Sequence, residues 1–473
     1  MGVSHGRPVV GRSMRSPGTA APLLVRAASG FSAQLARPTS GIFLYWVGGL
    51  ALLLFIGAWW AISFDWHVQH PDLGFYQSVG EAFARGQVPY RDFDPAYPPA
   101  ALPLLILPSL LGAKEGIWES YALRYEHLAL LLGMLLVIAT VLALGALRAS
   151  RGRTILAAAL VALSPILVGS ILPARFDLWP AALTTGALAA VFAGRPRLGG
   201  GILGLAIAAK VYPAVILPLV VIHVWRRKGS GEALATTGWA AVGAVAPAVP
   251  SLVVASAGLL HSTQEFVVRP LQVESLGAAI LWVAHQVAGV PIEVRVGYGS
   301  DNLVGPLPDA ISAIQGVLLV LALSAIWAWF ARGRDRGRQG LVTVSTAAVC
   351  AFIVLGKVLS GQYLIWLIPL VALMEGRRAL VAGVLLTAAL VLTQQWYPSL
   401  YPDWIAGRAP LVTWIVLARD LTLLLLLGAS VAPAEWFVPA IRRATVGRAA
   451  LSRPVPVADG YHAYLTVPEA RKE

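Results

Sequence analysis

The sequence contains one cysteine in 473 residues, Cys350, set inside an apolar run. This excludes an internal disulfide and a cysteine-built metal site, and leaves the thiol to pack as a small hydrophobe. Charge is also scarce. Only 12% of residues are charged while 58% are hydrophobic, and mean hydropathy is +0.72. A soluble domain carries about a quarter charged residues, so this composition belongs to a multi-span membrane protein. Acids are the scarcest charged class: 23 Asp and Glu stand against 36 Lys and Arg, giving a net charge of +13. No basic face with interleaved aromatics appears, so a nucleic-acid partner is not expected. Residues 1–40 are arginine-rich and weakly hydrophobic, without the short apolar core and small-residue site of a cleavable leader. The first apolar run is therefore expected to remain as an anchor. No internal repeat of the transporter kind is visible.

What the chain does have is a series of apolar runs from residue 41 to 433, separated by basic clusters at 1–37, 148–153, 194–197, 226–228, 332–338, 376–378 and 442–448. If each cluster lies on the cytoplasmic side, an even number of crossings separates neighbours. The run 98–112 is then a surface-lying helix, because it is short and carries Pro98, Pro99, Pro103 and Pro108. The run 198–225 becomes a hairpin broken at "KVYP", with Lys210 at its outer tip. Spans are expected at 41–63, 121–147, 154–172, 177–194, the two hairpin arms, 235–260, 308–331, 341–356, 362–375, 379–393 and 409–431. The reading is an all-α polytopic protein of about 12 transmembrane helices. It has a cytoplasmic basic tail (1–40), a multi-span membrane domain (41–433) whose first outer loop (64–120) carries juxtamembrane helices, and a second cytoplasmic tail (434–473). The apolar segment 276–290 is placed at the outer interface.

The outer segments collect the residues able to do chemistry. The first holds Asp65, Asp72, Asp92 and Asp94. Later ones hold Arg175 and Asp177, Lys210, Arg269 and Glu274, Lys357, Gln362 and Tyr363, and an aromatic group, Trp396, Tyr397, Tyr401 and Trp404. Aromatics at a bilayer edge often serve only as anchors, but cations on this side run against the charge bias of membrane proteins. Arg419 and Asp420 fall within the last span, where they need a partner or a cavity.

Taken in order, "DLGFY…PY…YPP" (from Asp72), "RFDLWPAAL" (from Arg175), "GLAIAAKVYPAVILPL" (from Gly204), "RPLQVESL" (from Arg269) and "KVLSGQYLIWLIPL" (from Lys357) resemble the polyprenyl-phosphate-sugar-dependent glycosyltransferases of the C superfamily. Within that group the chain looks most like glycosyltransferase family 87, the actinobacterial α-mannosyltransferase type. The resemblance implies transfer of a single sugar, mannose by the family pattern, from a polyprenyl phosphate carrier to a lipid-linked or cell-envelope acceptor. It also implies a multi-pass location in a bacterial plasma membrane, an extracytoplasmic site and inversion at the sugar. It places a catalytic aspartate at Asp72, although Gly74 before Phe75 departs from the commoner motif, and Asp65 is a second candidate.

The residues support that chemistry. A carboxylate can take the proton of the acceptor hydroxyl as the lipid phosphate leaves. Asp72 opens a segment with Leu73, Tyr76, Val79, Ala82 and Phe83 on one face, which predicts a surface-lying helix with Asp72 near its start, where a carboxylate also caps. Lys210, Arg269, Lys357 and Arg175 are the candidates for holding the donor phosphate. Tyr76, Asp177, Glu274, Gln362 and Tyr363 are candidates for the sugar or acceptor. Asp92, Asp94 and Asp177 are oxygen ligands in type only, and His67 and His70 are too weakly patterned for a site, so no metal or other cofactor is expected. Membrane lipids, the donor and a glycolipid or envelope glycan acceptor are the expected partners. The competing reading is a secondary transporter or flippase, which predicts ionisable residues near the middle of several spans.

Overall fold

The computed structural model describes residues 37–62, 66–333 and 337–433, together with Gly2, Leu35 and Trp436. Asp65 and the side chains of His67 and His70 lie outside the described residues. All the helices belong to one compact unit, Met1–Val431.

Among the described residues, six helical stretches are long and apolar enough to cross a membrane: Gly41–Trp60 (α1), Trp118–Ala146 (α4), Ser230–Val254, which begins as α9 (Ser230–Val245), Pro306–Arg332 (α12), Gly376–Gln394 (α15) and Leu411–Val431 (α16). The other expected spans are shorter or broken. They comprise α5 (Arg151–Ala162), α6 (Leu178–Phe192), α7 (Pro196–Ala209), α8 (Leu217–Lys228), α13 (Arg338–Val354) and α14 (Leu367–Ala372). Expected span 154–172 is interrupted after α5, where Pro165 starts a separate short helix, Ser164–Val168. The chain is a multi-pass membrane protein. Its helix α4 is the central pillar: 56% of the residues in its most apolar stretch are buried, against 17% in α1 and α12, which leave apolar side chains exposed.

Among the described residues, the basic clusters gather at one end. Arg37 and Thr39 bond to Arg151 and Ala149 through the main chain. Arg153 pairs with Glu375 at 3.0 Å, and Arg338 donates to the carbonyl of Ala146 at 2.7 Å. Arg338 also lies within electrostatic reach of Arg227 and Arg148. At the same end Lys228 donates to the Gly194 carbonyl at 2.7 Å, and Arg197 pairs with Glu232 at 2.9 Å. The start of α7 and the end of α8 are thus neighbours, so the segment between them goes out and returns as the hairpin reading requires. Helix α7 packs closely on α9 through glycine. A Cβ on Gly204 would stand 2.0 Å from the Ala240 carbonyl oxygen, and one on Gly200 2.3 Å from that of Thr236.

At the opposite end, the segment expected as the first outer loop forms α2 (Trp66–Ala84) and α3 (Leu102–Leu110), which meet where Gly80 faces Ser109 and the Leu105 carbonyl. The helix α2 starts at Trp66, so Asp72 sits in its second turn. The expected position at the helix start, with a capping role, is corrected: the carboxylate is not needed by the helix end. Helix α3 is nine residues long, too short to cross. The segment after α10 (Ser256–Val268) is not purely helical. Strand β1 (Leu271–Gln272), helix α11 (Leu276–Ala288) and the hairpin β2 (Glu293–Gly297)–β3 (Ser300–Val304) build a small antiparallel sheet in the order β1-β3-β2. Helix α11 corresponds to the segment expected at the outer interface. It packs with Trp282 against Trp404 and Trp396 in a second small apolar core.

Candidate active site

Five chain segments deliver charged groups to the end opposite the basic clusters. Asp72 comes from α2. Arg175 and Asp177 come from the link before α6. Lys210 is the first residue after α7, in extended conformation (φ −161°, ψ 140°), where Pro213 prevents the helix from continuing. Lys357 follows α13, and Arg269 follows α10.

These groups form two ion pairs. Arg175 Nη1 contacts Asp72 Oδ1, and Arg175 Nη2 donates to the Tyr397 hydroxyl at 2.5 Å. Lys210 Nζ donates to Asp177 Oδ1 at 2.6 Å, and Trp366 Nε1 donates to the same oxygen at 2.7 Å. Asp177 occupies the capping position of α6 but makes no cap bond, so its carboxylate is committed to Lys210 and Trp366 instead. The pairs differ in access. The Asp177 side chain is 1% exposed and that of Arg175 5%, whereas Asp72 is 36% exposed, so Asp72 is the acid an incoming hydroxyl can reach.

Aromatic rings wall the site. Lys210 Nζ lies 4.7 Å from the Phe176 ring centroid, 5.0 Å from Tyr363 and 5.1 Å from Trp366. Tyr212, Trp366 and Tyr363 stack in sequence, with centroids 4.0 and 4.2 Å apart. Tyr76 is buried, with its hydroxyl 3.5 Å from that of Tyr97, and Tyr97 packs edge-on to Phe176 at 5.1 Å. Such walls exclude water and strengthen every charge interaction inside. Burial pushes the Lys210 ammonium below the usual lysine range, against the opposing pull of Asp177. It also pushes the Tyr397 phenol up to about 12, so that it stays protonated beside Arg175.

Arg269 and Lys357 form the outer cationic edge. Arg269 is within electrostatic reach of both Lys210 and Lys357. Burial, then the charge of Arg269, lowers the Lys357 pKa. Arg269 also contacts the Tyr298 carbonyl in the hairpin turn. Asp177 Oδ2 and Arg175 Nε are buried without a protein hydrogen-bond partner.

The structure therefore brings Asp72, Tyr76, Arg175, Asp177, Lys210 and Tyr363 into one cluster, with Arg269 and Lys357 at its edge. Gln362 lies in the same 3-10 turn as Tyr363 and accepts from the Ser360 hydroxyl at 2.5 Å. Glu274 is buried beside this cluster, within electrostatic reach of Arg175. It is 2% exposed and 3.6 Å from Arg419, which also donates to the Glu274 carbonyl at 2.8 Å and contacts Asp420 at 2.7 Å. This buried group ties α16 to the sheet segment. Burial raises the Glu274 pKa, with Arg419 opposing. Asp92 and Asp94 serve their own loop: Asp92 accepts from Val88 N at 2.7 Å and Asp94 from Ala96 N at 2.9 Å. Among the described residues no group of three or more His, Cys, Asp or Glu side chains is placed to hold a metal.

Sequence reasoning missed Trp366, Phe176 and Gln272, and counted Tyr397 only as an interfacial aromatic. Trp366 and Phe176 carry one available signal: each lies within three residues of a candidate polar residue, in "GQYLIW" and "RFD".

The model of glycosyltransferase family 87 matches residues 96–360. That stretch includes Arg175, Asp177, Lys210, Arg269, Glu274 and Lys357, while Asp72, Gln362 and Tyr363 lie outside it. No curated protein matches the sequence significantly. Among solved structures, the chain shows a distant likeness to the crystal structure of ArnT from Cupriavidus metallidurans bound to undecaprenyl phosphate. That likeness has 15% identity and a TM-score of 0.42, and covers 83% of this chain and 78% of that one.

Proposed function

The chain belongs to glycosyltransferase family 87, and from that premise we propose that it transfers one sugar, mannose, from a polyprenyl phosphate to a lipid-linked or cell-envelope acceptor on the extracytoplasmic face. The observation that carries this reading is the pairing of an accessible acid, Asp72, with a wall of cations behind it, at the end of the bundle opposite the basic clusters. That end is extracytoplasmic under the positive-inside bias.

In this reading Asp72 accepts the proton of the acceptor hydroxyl as that oxygen attacks the anomeric carbon. The bond from carbon to phosphate oxygen breaks, and the lipid phosphate leaves with the electron pair. Attack opposite the leaving group inverts the anomeric centre, so a β-linked donor gives an α-linked product. Arg175 holds Asp72 in place, and is itself held by the Tyr397 hydroxyl. Arg269 and Lys357 meet the phosphate, and Lys210 and Arg175 add positive potential from behind. Charge fixed in place before reaction stabilises a developing phosphate charge without reorganisation. Tyr76 and Tyr363 bound the sugar pocket, with Gln362 and Asp177 as hydrogen-bonding groups. Glu274, locked to Arg419, sets the position of the sheet segment.

The transporter alternative predicted charges in the middle of several spans. Among the described residues the mid-span pair Arg419–Asp420 is closed onto Glu274, an arrangement that suits a tether. The deciding experiment supplies the purified protein in lipid vesicles with a polyprenyl-phosphate mannose and an envelope lipid extract. The expected result is a mannosylated lipid formed from that donor and not from a nucleotide sugar. Transfer from a nucleotide sugar alone, or from no donor, would overturn the assignment.

A further inference from the structure

The donor-side cations Arg269 and Lys357 come from segments 88 residues apart, and a closed chain of contacts joins them. At one end, the main-chain N–H of Gln272 donates to the Lys357 carbonyl at 3.0 Å. Gln272 is 3% exposed, and both ends of its side-chain amide are engaged. Its Nε2 donates to Glu274 at 3.2 Å, and its Oε1 accepts from the main-chain N–H groups of Glu274 (3.2 Å) and Leu359 (3.3 Å). Across the sheet Gln272 pairs with Asn302, which is 1% exposed. The Asn302 amide donates at 2.9 Å to the carbonyls of both Gly297 and Ser300, the two ends of the hairpin turn. Within the turn, Tyr298 (φ 55°) and Gly299 (φ 68°) are both left-handed, and the Tyr298 carbonyl meets the Arg269 guanidinium.

We propose that Gln272 and Asn302 are positioning residues that fix the distance between Arg269 and Lys357, so that the two cations grip one lipid phosphate together. This rests on the reading above that those cations meet the phosphate. Buried side-chain amides suit the task. An amide both donates and accepts, so it can clamp backbone carbonyls and N–H groups on two segments without adding a charge that would compete with the phosphate. The two-residue left-handed turn has a fixed shape, and glycine at its second position meets that shape at no steric cost. Tyr298 is the residue held there against preference, as expected where a backbone carbonyl must point in a set direction.

The test measures donor KM, kcat and competitive inhibition by polyprenyl phosphate on full-length protein in vesicles. Gln272→Ala and the milder Asn302→Ala are each expected to raise donor KM and the inhibition constant together, by about tenfold, with kcat within twofold. Gln272→Ala combined with Lys357→Ala should be no worse than Lys357→Ala alone. A folded, monodisperse Asn302→Ala protein with unchanged KM and inhibition constant would overturn the positioning role, as would equal losses in kcat for both variants. Arg269→Ala and Lys357→Ala read the underlying assumption separately. If neither weakens inhibition by polyprenyl phosphate, the phosphate assignment itself fails.

Discussion

Neutralising Asp177 by Asp177→Asn should separate structural from catalytic work at the heart of the site. The pair with Lys210 is buried, at 1% and 17% side-chain exposure, so solvent does little to screen it. Removing one partner of a buried pair leaves an uncompensated charge and costs about 3–5 kcal/mol. Arg175 and Arg269 repel Lys210 in addition. The lysine relieves part of that cost by losing its proton, which places the expected loss toward the lower end of the range. The asparagine still accepts from Trp366 Nε1, so that bond is not lost as well. Adding Lys210→Met removes the stranded charge and replaces it with an apolar chain of similar length. Stability, read as the melting temperature in detergent, should then return close to wild type, since apolar replacement of a buried pair is often neutral or better. Sugar transfer should not return. We expect kcat/KM of the double variant to stay at least about tenfold down, equivalent to roughly 1.4 kcal/mol of transition-state stabilisation. If Asp177→Asn melts with wild type, the buried-pair reasoning is wrong. If the double variant transfers sugar normally, Lys210 is purely structural.

Three further outcomes follow from the same geometry. Because burial and then Arg269 lower the Lys357 pKa, this ammonium loses its proton at a lower pH than a free lysine. Donor KM should accordingly climb on the alkaline side before pH 10.5, and Lys357→Arg should flatten that rise, as read from KM–pH profiles. Tyr397→Phe removes the acceptor that holds Arg175 and should lower kcat by about tenfold, roughly the worth of one hydrogen bond to a charged group, with KM little changed in steady-state assays. Gly204→Val pushes a side chain against the Ala240 carbonyl and should cost about 1–3 kcal/mol or more by forcing α7 from α9, measured as lost thermal stability and folded yield.

Much of this arrangement was legible in the sequence, for identifiable reasons. Basic clusters mark one membrane side, so Arg175, Lys210, Arg269 and Lys357 stood out as cations on the wrong side, and their convergence followed from span counting. The hairpin at Lys210 was readable because Pro213 and a mid-run lysine both oppose a continuous helix. What escaped detection depends on packing. The apolar spacing after Asp72 reads as a helix starting near that residue, yet α2 begins about a turn and a half earlier, at Trp66. The sheet rests on a two-residue strand and a Tyr298-Gly299 turn, too short for alternation to register. Gln272 and Trp366 carry no pattern that distinguishes them from other buried amides and interfacial tryptophans. Their roles come from three-dimensional partners contributed by distant segments.

The most direct test of the central claim is the turnover of Asp72→Asn with a polyprenyl-phosphate sugar, measured beside wild type in the same vesicles. Asparagine keeps an oxygen toward Arg175 but cannot take a proton, and a general base is worth about 10²–10⁴ in rate. The account predicts kcat reduced by at least about a hundredfold, with donor KM within about threefold of wild type. Wild-type turnover in Asp72→Asn would contradict it.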